Sequence, residues 1–421
     1  MPTRGHIQDL CGQRSYETRQ NLATSVTVGL SIGHPSCMQR KAAAALLFLV
    51  FADLTGFGML IPDVQLRAEK LGAAGWVIGI ALSSMFVVQA ICSPAWGVLS
   101  DRVGRKPVIL ICTSLSAASM LIYTQATSIL VIVASRVVSG LGAANVSIAQ
   151  AALAESVGPD ERTALMGYVG SATTTGLIVG PAIGGILAAS GGPLLLGSTA
   201  CAISLSGVLA VLLLVPSLNR KSEPNPVASR ESPLRSNKSL VTLFVIAIVS
   251  WFALACLEGT FGRLLKHRFD LGQLTFGLIF AYESLISAIV QATVVKGLSK
   301  RFGDRALLAS GMAIQGLGLG AMPFSQNLAW LTVAATAYSV GSALAGPAIN
   351  GWCSKVTPES QQGAMFGLLQ SARSLGFMVG PMIGGALFDW SISAPYVLAA
   401  TTCGAAVAAV LLLTREPVPA R

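Results

Sequence analysis

Four charged residues lie deep inside long apolar stretches of this sequence: the acids Asp53 and Glu283 and the bases Arg136 and Arg373. An ionisable group at the centre of a membrane helix costs roughly 2.5–3.5 kcal/mol on insertion scales, so such a residue needs a partner or a function. Burial drives a carboxyl group towards its neutral form, and a nearby arginine drives it towards its charged form. A carboxyl group balanced between these effects can bind and release a proton. The pattern therefore predicts proton exchange at the two acids, with the two arginines compensating carboxylate charge.

Two interpretations of these residues stay open. In the first, Asp53 carries a proton and Glu283 is a second carrier or a substrate contact. In the second, each acid forms a static ion pair with one base, Asp53 with Arg136 and Glu283 with Arg373. Polar side chains that would be disfavoured against lipid are the next candidates for a cavity, and they are Gln89, Asn145, Gln150 and Glu258.

The composition limits the class of protein. Of the 421 residues, 53% are hydrophobic and 11% are charged, and the mean hydropathy is +0.69. These values are not those of a soluble globular protein. The net charge of +10 comes from Lys and Arg in short loops between apolar runs, so it predicts membrane topology signals and no nucleic-acid partner.

Several chemistries have no motif in the sequence. The eight cysteines show no metal-ligand spacing, and the phosphate-loop pattern GxxxxGK[ST] does not occur. All three histidines lie outside the apolar runs, which argues against a membrane enzyme with an intramembrane histidine base. We therefore expect no metal, no cofactor, no enzymatic activity and no ATP-driven process.

The apolar runs have the length of membrane spans, each of which needs about 20 residues to cross the hydrocarbon core. We predict an all-α integral membrane fold with twelve transmembrane helices. The predicted spans are 42–62, 75–99, 108–126, 129–153, 164–189, 193–215, 240–262, 273–297, 306–324, 328–349, 363–388 and 395–414.

A charged, proline-containing segment separates the spans into two groups of six. The predicted domains are an N-terminal six-helix bundle over 39–216, a cytoplasmic linker over 217–239 and a C-terminal six-helix bundle over 240–415. Residues 1–38 form a polar tail that we expect to be either disordered or an over-extended start. Residues 416–421 are expected to be a short C-terminal tail.

The distribution of positive charge predicts the orientation. With a cytoplasmic N-terminus, the inside loops carry 18 Lys and Arg residues. The outside loops then carry five, namely Arg67, Lys70, Arg263, Lys266 and Arg268. This bias predicts a multi-pass protein of the inner or plasma membrane with both termini in the cytoplasm.

An internal repeat relates the two groups of spans. The sequence GPAIGG at 180–185 recurs as GPMIGG at 380–385, on matching spans. The loop sequence SDRVG at 100–104 recurs in altered form as SKRFG at 299–303. Equivalent spans then face the same way, which predicts two six-helix bundles related by a parallel, pseudo-two-fold repeat.

Four motifs resemble those of the major facilitator superfamily, and in particular its drug:proton antiporter branch of tetracycline and multidrug exporters. Residues 97–106 read GVLSDRVGRK and resemble the loop motif GxLxDRxGRK. Residues 136–142 read RVVSGLG and resemble RxxxGxG, while 176–185 resemble the antiporter motif gxxxGPxxGG. Residues 53–62 read DLTGFGMLIP and are similar to DxxGxGxxxP of tetracycline-type exporters. The resemblance extends from about residue 40 to 415.

The resemblance implies a secondary active transporter that exports small organic compounds, amphipathic or cationic, in exchange for protons by alternating access. Its energy source would be the proton gradient, without a cofactor. Its partners would be the small-molecule substrate, protons and the lipid bilayer, and the protein would act as a monomer.

The resemblance also implies roles for the motif residues. We expect a cytoplasmic latch in which Asp101 meets the N-terminus of the eleventh span near Gln362 and Gly363. The predicted gating residues are Gly97, Asp101, Arg102, Gly104, Arg105 and Lys106. The predicted helix-packing residues are Gly176, Gly180, Pro181, Gly184, Gly380, Pro381 and Gly384. The simpler interpretation of the loop charges is that they only obey the positive-inside rule.

Two alternative functions stay open. One is a metabolite uniporter or proton symporter, against which the antiporter-like Gly-Pro motif of the fifth span argues. The other is a membrane sensor or assembly protein that carries no flux. The sequence has no sizeable soluble region with which such a protein would signal.

Overall fold

The computed structural model of the protein describes residues 37–156, 159–216, 238–357 and 361–413. In this part of the chain the secondary structure consists of α-helices and one short 3-10 helix, with no strand among them. The helices are α1 Cys37–Lys70, α2 Gly75–Val103, α3 Arg105–Tyr123, α4 Ile129–Gly142, α5 Asn145–Ser156, α6 Pro159–Leu214, α7 Lys238–Phe269, α8 Gln273–Thr293, α9 Val295–Ala321, α10 Leu328–Val356, α11 Gln362–Trp390 and α12 Ala394–Leu413.

The predicted all-α membrane fold is confirmed. Ten segments of the described chain are long and apolar enough to cross a membrane. One of them, Tyr168–Leu214, has 47 residues, which at 1.5 Å per residue is about 70 Å and far exceeds a hydrocarbon core of about 30 Å. Gly192 interrupts this segment with a φ of 62° and a ψ of −157°. The chain can therefore turn back at Gly192, as the predicted fifth and sixth spans require, while the full count of twelve spans stays a prediction.

Two helix boundaries differ from the predicted spans. The first predicted span ends at residue 62, but α1 continues to Lys70. The fourth predicted span is interrupted between α4 and α5. At this break the Oδ1 atom of Asn145 accepts a hydrogen bond from the backbone N–H of Val146 at 2.7 Å. A side chain that bonds its own backbone in this way competes with helix hydrogen bonds.

The internal repeat appears at the backbone level. Gly104 and Gly303 have φ values of 99° and 80°, and each interrupts the helical path at the equivalent loop of its half. Such left-handed φ values favour glycine. Shortly after each glycine, a basic side chain donates to carbonyls at the end of the last helix of that half, Lys106 to Val215 at 2.5 Å and Arg305 to Leu411 at 2.5 Å.

Each half has its own apolar core. The buried clusters of the first half contain residues of α1, α3, α5 and α6 around Leu49, together with residues of α1–α4 and α6 around Met59. The core of the second half is one cluster of residues from α7–α12, to which α1 contributes Ile61. The predicted linker over 217–239 lies outside the described residues apart from the start of α7, as do 1–36 of the N-terminal tail and the C-terminal tail.

The repeated GPxIGG motifs place the halves against each other. Within the first half, glycines of α6 face α1 so closely that a Cβ atom at Gly184 would lie 2.0 Å from the carbonyl oxygen of Met59. Across the halves, a Cβ atom at Gly277 of α8 would lie 2.2 Å from the carbonyl oxygen of Pro181. A Cβ atom at Gly79 of α2 would likewise lie 2.2 Å from the carbonyl oxygen of Pro381. The two motifs therefore make equivalent contacts, α6 with α8 and α11 with α2.

These contacts lie towards one end of the molecule. We call it the outer end, following the predicted orientation, and it carries the turns at 71–74, 270–272 and 391–393. The opposite end, which carries the loop around Gly104, is the inner end. The halves meet at the outer end and enclose a cavity deeper in the molecule.

Candidate functional site

A cavity lies between the two halves. Both halves contribute to its wall, which is apolar except for one arginine and one glutamate. The lining residues are Phe57, Ile61, Val64, Leu82, Met85, Phe86 and Arg136 from the first half and Glu258, Gly259, Phe377 and Pro381 from the second.

An aromatic platform joins the halves at this cavity. The ring of Phe86 on α2 stacks on the ring of Phe377 on α11, with centroids 4.5 Å apart and planes 25° apart. Phe57 meets Phe86 edge-on at 6.5 Å. The guanidinium of Arg373 lies 5.0 Å from the ring centroid of Trp251 and 5.8 Å from that of Phe377. These geometries are those of favourable aromatic and cation–π contacts.

The two charged residues of the cavity wall come from opposite halves. Arg136 is 4% exposed and donates to the hydroxyl of Ser135 at 3.3 Å, and its Nε atom has no hydrogen-bond partner among the described residues. Glu258 on α7 lies in the electrostatic field of Arg373. The arginine is nevertheless beyond the 4.0 Å that defines an ion pair.

Asp53 lies inside the first half and does not line the cavity. It is 7% exposed and accepts a hydrogen bond from the hydroxyl of Ser116 on α3 at 2.7 Å. In the described part of the chain it has no ion-pair partner. The structure therefore separates Asp53 from Arg136, although the sequence places both deep in apolar runs.

Glu283 lies inside the second half. It is 5% exposed, and its Oε1 atom has no hydrogen-bond partner in the described structure. The carboxyl groups of Glu283 and Glu258 are close enough to interact unfavourably when both are charged. Arg373 acts on Glu258 and does not form an ion pair with Glu283 in the part of the chain that is described.

The three predicted cavity amides are not among the residues that line this cavity. Gln89 on α2 donates from Nε2 to the carbonyl of Ala143 at 3.3 Å. Asn145 is fully buried, with its Nδ2 atom unpaired among the described groups. Gln150 is half-buried on α5. Of the four predicted cavity residues, only Glu258 contributes to the wall.

An ionic network closes the outer end above the cavity. Arg263 on α7 binds two carboxylates, Glu69 of α1 at 3.1 Å and Asp389 of α11 at 2.9 Å. Asp389 also accepts a hydrogen bond from the backbone N–H of Gly75, the first residue of α2, at 2.6 Å. Nε2 of His267 lies 2.7 Å from the same Glu69 carboxylate. Four helices from both halves are held together by these contacts.

A second group of polar side chains supports this closure. Gln65 is fully buried; its Nε2 donates to the carbonyl of Glu258, and its Oε1 accepts from the N–H of Gly262 at 3.1 Å. Asp63, also fully buried, accepts hydrogen bonds from Arg67 at 2.7 Å and from Tyr123 at 2.8 Å. It further accepts one from Gln273, at the start of α8, at 3.3 Å.

The sequence does not predict this outer network. Polar residues alternate with apolar ones over Asp63–Glu69, and this pattern could have indicated the network. The predicted first span, however, ends at residue 62, just before them. Because α1 extends to Lys70, these side chains lie within the helix bundle. Arg263 was likewise assigned to an outer loop, yet it is 6% exposed and lies 4.4 Å from the ring centroid of Phe388.

Within the described part of the chain, the contacts of the predicted gating loop are made to its own half. Asp101 pairs with Arg105 at 2.7 Å and its side chain is 52% exposed. Arg105 also donates to the hydroxyl of Ser100 at 2.5 Å. Gly97 and Arg102 lie on α2, and Lys106 binds the end of α6. The side chains at 362–364, where Asp101 is expected to dock, lie outside the described part.

The predicted packing residues lie on α6 and α11. A Cβ atom at Gly176 or Gly180 would lie 2.9 Å or 2.6 Å from carbonyl oxygens of α1. The corresponding glycines of α11, Gly380 and Gly384, face α7, at 2.6 Å and 3.4 Å from its nearest atoms. In each motif the first two of these glycines contact a helix of their own half, while the proline carbonyl and the last glycine, Gly185 or Gly385, contact the other half.

The chain matches known transporters over most of its length. The family model described as Major Facilitator Superfamily matches residues 45–294 and 243–421. Tetracycline resistance protein, class G, of Vibrio anguillarum is 28% identical over 361 residues, which are 83% of this chain and 91% of that protein. Multidrug resistance protein 1 of Bacillus subtilis (strain 168) is 26% identical over 381 residues, which are 88% and 96% of the two chains.

A solved structure shows the same fold. It is that of a bacterial homologue of the human lysosomal transporter Spinster, in an inward-facing and occupied conformation. The identity is 15% and the TM-score is 0.78, and the match covers 92% of this chain and all of that one. The resemblance inferred from the motifs is therefore confirmed, and the multi-pass protein is a transporter and not an enzyme. The chain belongs to the major facilitator superfamily.

Proposed function

We propose that the protein exports small organic compounds, amphipathic or cationic, in exchange for protons by alternating access. The observation that carries this proposal is the cavity shared by both halves, whose lining includes three phenylalanines, one arginine and one glutamate. Side-chain ion pairs of Arg263 close the molecule at its outer end. Relatives named for resistance to tetracycline and to multiple drugs support export as the direction. The proton gradient would be the only energy source, without a cofactor.

Asp53 is the proposed proton carrier. Its carboxyl group is buried and hydrogen-bonded to one serine hydroxyl, with no cation at ion-pair distance among the described residues. A carboxylate in such surroundings is costly, and binding a proton removes the charge. Glu283, buried with one unpaired oxygen, is the proposed second carrier.

Alternating access requires the outer network to break when the inner end closes. In this structure the Arg263 bridge is made and the charges of the inner loop pair within the first half. In the opposite state, Asp101 would leave Arg105 for the positive N-terminus of α11. The two ends would then close in alternation around the cavity.

Purified protein in proteoliposomes with an imposed pH gradient tests the proposal. A panel of fluorescent aromatic cations and zwitterions should be transported, at a rate that depends on the gradient and in the direction opposite to proton flow. Transport of the compounds in the same direction as protons would favour a symporter. Flux that does not depend on the pH gradient would favour a uniporter. Binding without flux for the whole panel would favour a sensor or assembly protein.

Replacing Asp53 by Asn should remove proton coupling while the fold is retained, because the amide keeps the size of the carboxyl group but does not bind and release a proton. We expect gradient-driven flux to fall about tenfold or more, in line with the cost of a buried charge, and binding in detergent to change little. Asp270→Asn is the matched control, since the Asp270 carboxyl is exposed and paired with Lys266 at the surface. Unchanged coupled flux in Asp53→Asn would exclude this residue from the mechanism.

Arg263→Gln should open the outer end. Removing the guanidinium leaves the Glu69 and Asp389 carboxylates facing each other, and loss of one partner of a buried charge pair costs about 2–5 kcal/mol. Distances between spin labels on the α1–α2 and α11–α12 turns should lengthen, and transport should fall. Lys266→Gln, one turn away and exposed, should leave the distances unchanged. A closed outer end in Arg263→Gln would show that the bridge does not hold it.

Asp101→Asn should lower turnover about tenfold while substrate affinity stays within about twofold, because the latch contributes to closing the inner end and lies outside the cavity. The rate and KM of gradient-driven transport measure both effects, and Asp101→Glu is the charge-preserving control. Loss of binding with normal turnover would contradict a latch.

A further inference from the structure

One amide side chain of the first half bonds to a single turn of α7 in the second half. Gln65 on α1 is fully buried. Its Nε2 donates to the backbone carbonyl of Glu258, and its Oε1 accepts from the backbone N–H of Gly262 at 3.1 Å. These two backbone groups are four residues apart, and an α-helix normally joins such a pair by its own hydrogen bond. The amide of Gln65 therefore bonds to both ends of one helical hydrogen bond.

This turn of α7 is suited to sharing that bond. The N–H of Gly262 has one hydrogen, so it serves Gln65 at the expense of the bond within its own helix. The glycines at 259 and 262 weaken the helix locally. The hydroxyl of Thr260 donates to the carbonyl of Cys256 at 2.7 Å, and a back-bond of this kind also loosens a helix. The weakest part of the turn is thus the part that the amide reaches.

Withdrawal of the amide would leave no polar group of this turn without a partner. Because α7 is one continuous helix over Lys238–Phe269, the carbonyl of Glu258 and the N–H of Gly262 stay in helical register. They can bond to each other as soon as Gln65 leaves. Breaking buried hydrogen bonds is normally costly because it leaves groups unpaired, and on the α7 side this cost is avoided.

The turn lies between the two charged residues of α7 that serve the cavity and the outer end. Glu258 contributes to the cavity wall, and Arg263, directly after Gly262, forms the ionic bridge. On α1, Gln65 likewise follows the cavity residue Val64 and precedes Glu69 of the bridge. The amide therefore joins the halves at a level between the cavity and the bridge.

We propose that Gln65 is a second, uncharged latch of the outer end. Its amide bonds to the α7 turn when the outer end closes and leaves it when the outer end opens, after which the turn restores its own hydrogen bond. Because the latch bonds the backbone of Glu258, closing also fixes the position of that glutamate in the cavity wall. The inference rests on the proposed alternating access and adds to it a latch that needs no charge.

Distances across the outer end test the latch. Spin labels on the α1–α2 and α11–α12 turns of the full-length protein in lipid nanodiscs report the ratio of closed to open outer ends. A hydrogen bond of this kind multiplies an equilibrium constant by roughly two to ten. Gln65→Met keeps nearly the length of the side chain and removes both bonds, so it should lower the ratio about tenfold.

Gln315→Met is the matched control. Gln315 on α9 is also fully buried, but it lies within the second half, and its amide atoms have no hydrogen-bond partner among the described residues. The same change of side chain should leave the ratio within about twofold. An equal fall in this control would show that repacking at any buried glutamine opens the outer end, and it would overturn the latch.

Gly262→Ala reaches the latch from the α7 side. The added Cβ atom would lie 3.1 Å from Oε1 of Gln65 and should displace the amide, while every backbone N–H and carbonyl of α7 is retained. We expect the ratio of closed to open outer ends to fall about threefold or more. If neither Gly262→Ala nor Gln65→Met lowers the ratio, the latch is wrong.

Hydrogen–deuterium exchange resolved to single residues tests the release. In Gln65→Met the backbone N–H of Gly262 should exchange no faster than those of Phe261 and Arg263, because the turn restores its own hydrogen bond. Exchange about tenfold faster at Gly262 would show that its N–H is left without a partner. That result would overturn the proposed release.

The outcomes separate this inference from the export proposal. Two outer-end distances whose ratio does not respond to Gln65 would overturn the latch while export stands. A single, unchanging distance in the wild type and in every variant would overturn both. A lower ratio in Gln65→Met and Gly262→Ala but not in Gln315→Met, in a protein without gradient-driven flux, would uphold the latch and overturn export.

Discussion

The guanidinium of Arg263 holds the outer end of this transporter closed. It lies between the carboxylates of Glu69 and Asp389. Asp389 in turn accepts a hydrogen bond from the backbone N–H of Gly75. One buried cation thereby connects α1, α2, α7 and α11, two helices from each half. The bridge joins α2 and α11, the helices that carry Phe86 and Phe377 of the cavity wall. An ionic closure suits a cyclic machine in which each state supplies new partners, because a buried charge that is left unpaired is costly.

Small residues make the ionic closure possible. The carbonyls of Pro181 and Pro381 approach Gly277 and Gly79 so closely that a Cβ atom on either glycine would lie 2.2 Å away. In lipid, where apolar surface gives no driving force between helices, such close packing and polar contacts supply much of the association energy. The halves therefore meet where α2 packs against α11 and α6 against α8, with charged contacts at the outer end.

The charges of the protein fall into two kinds. Those of the outer network, such as Arg263, have partners at ion-pair distance, and so does Asp101 at the inner loop. Those of the interior, Asp53, Arg136, Glu258 and Glu283, have none within the described chain. Paired charges hold a conformation, whereas unpaired buried charges attract protons or ligands that neutralise them. The separation of these kinds agrees with a protein whose ends act as gates and whose centre acts as a binding site.

The sequence by itself determined the all-helical membrane fold, the family and the internal repeat, because membrane spans need only length and apolarity and because the GPxIGG motifs keep their spacing. It also identified the buried charges, since charge in an apolar run is rare. Tertiary structure alone decided which charges meet. Arg136 and Glu258 share one cavity although 122 positions separate them, while Asp53 is closed off with Ser116. Only the structure showed the outer network, because the continuation of α1 to Lys70 depends on partners that α7, α8 and α11 supply from distant parts of the chain.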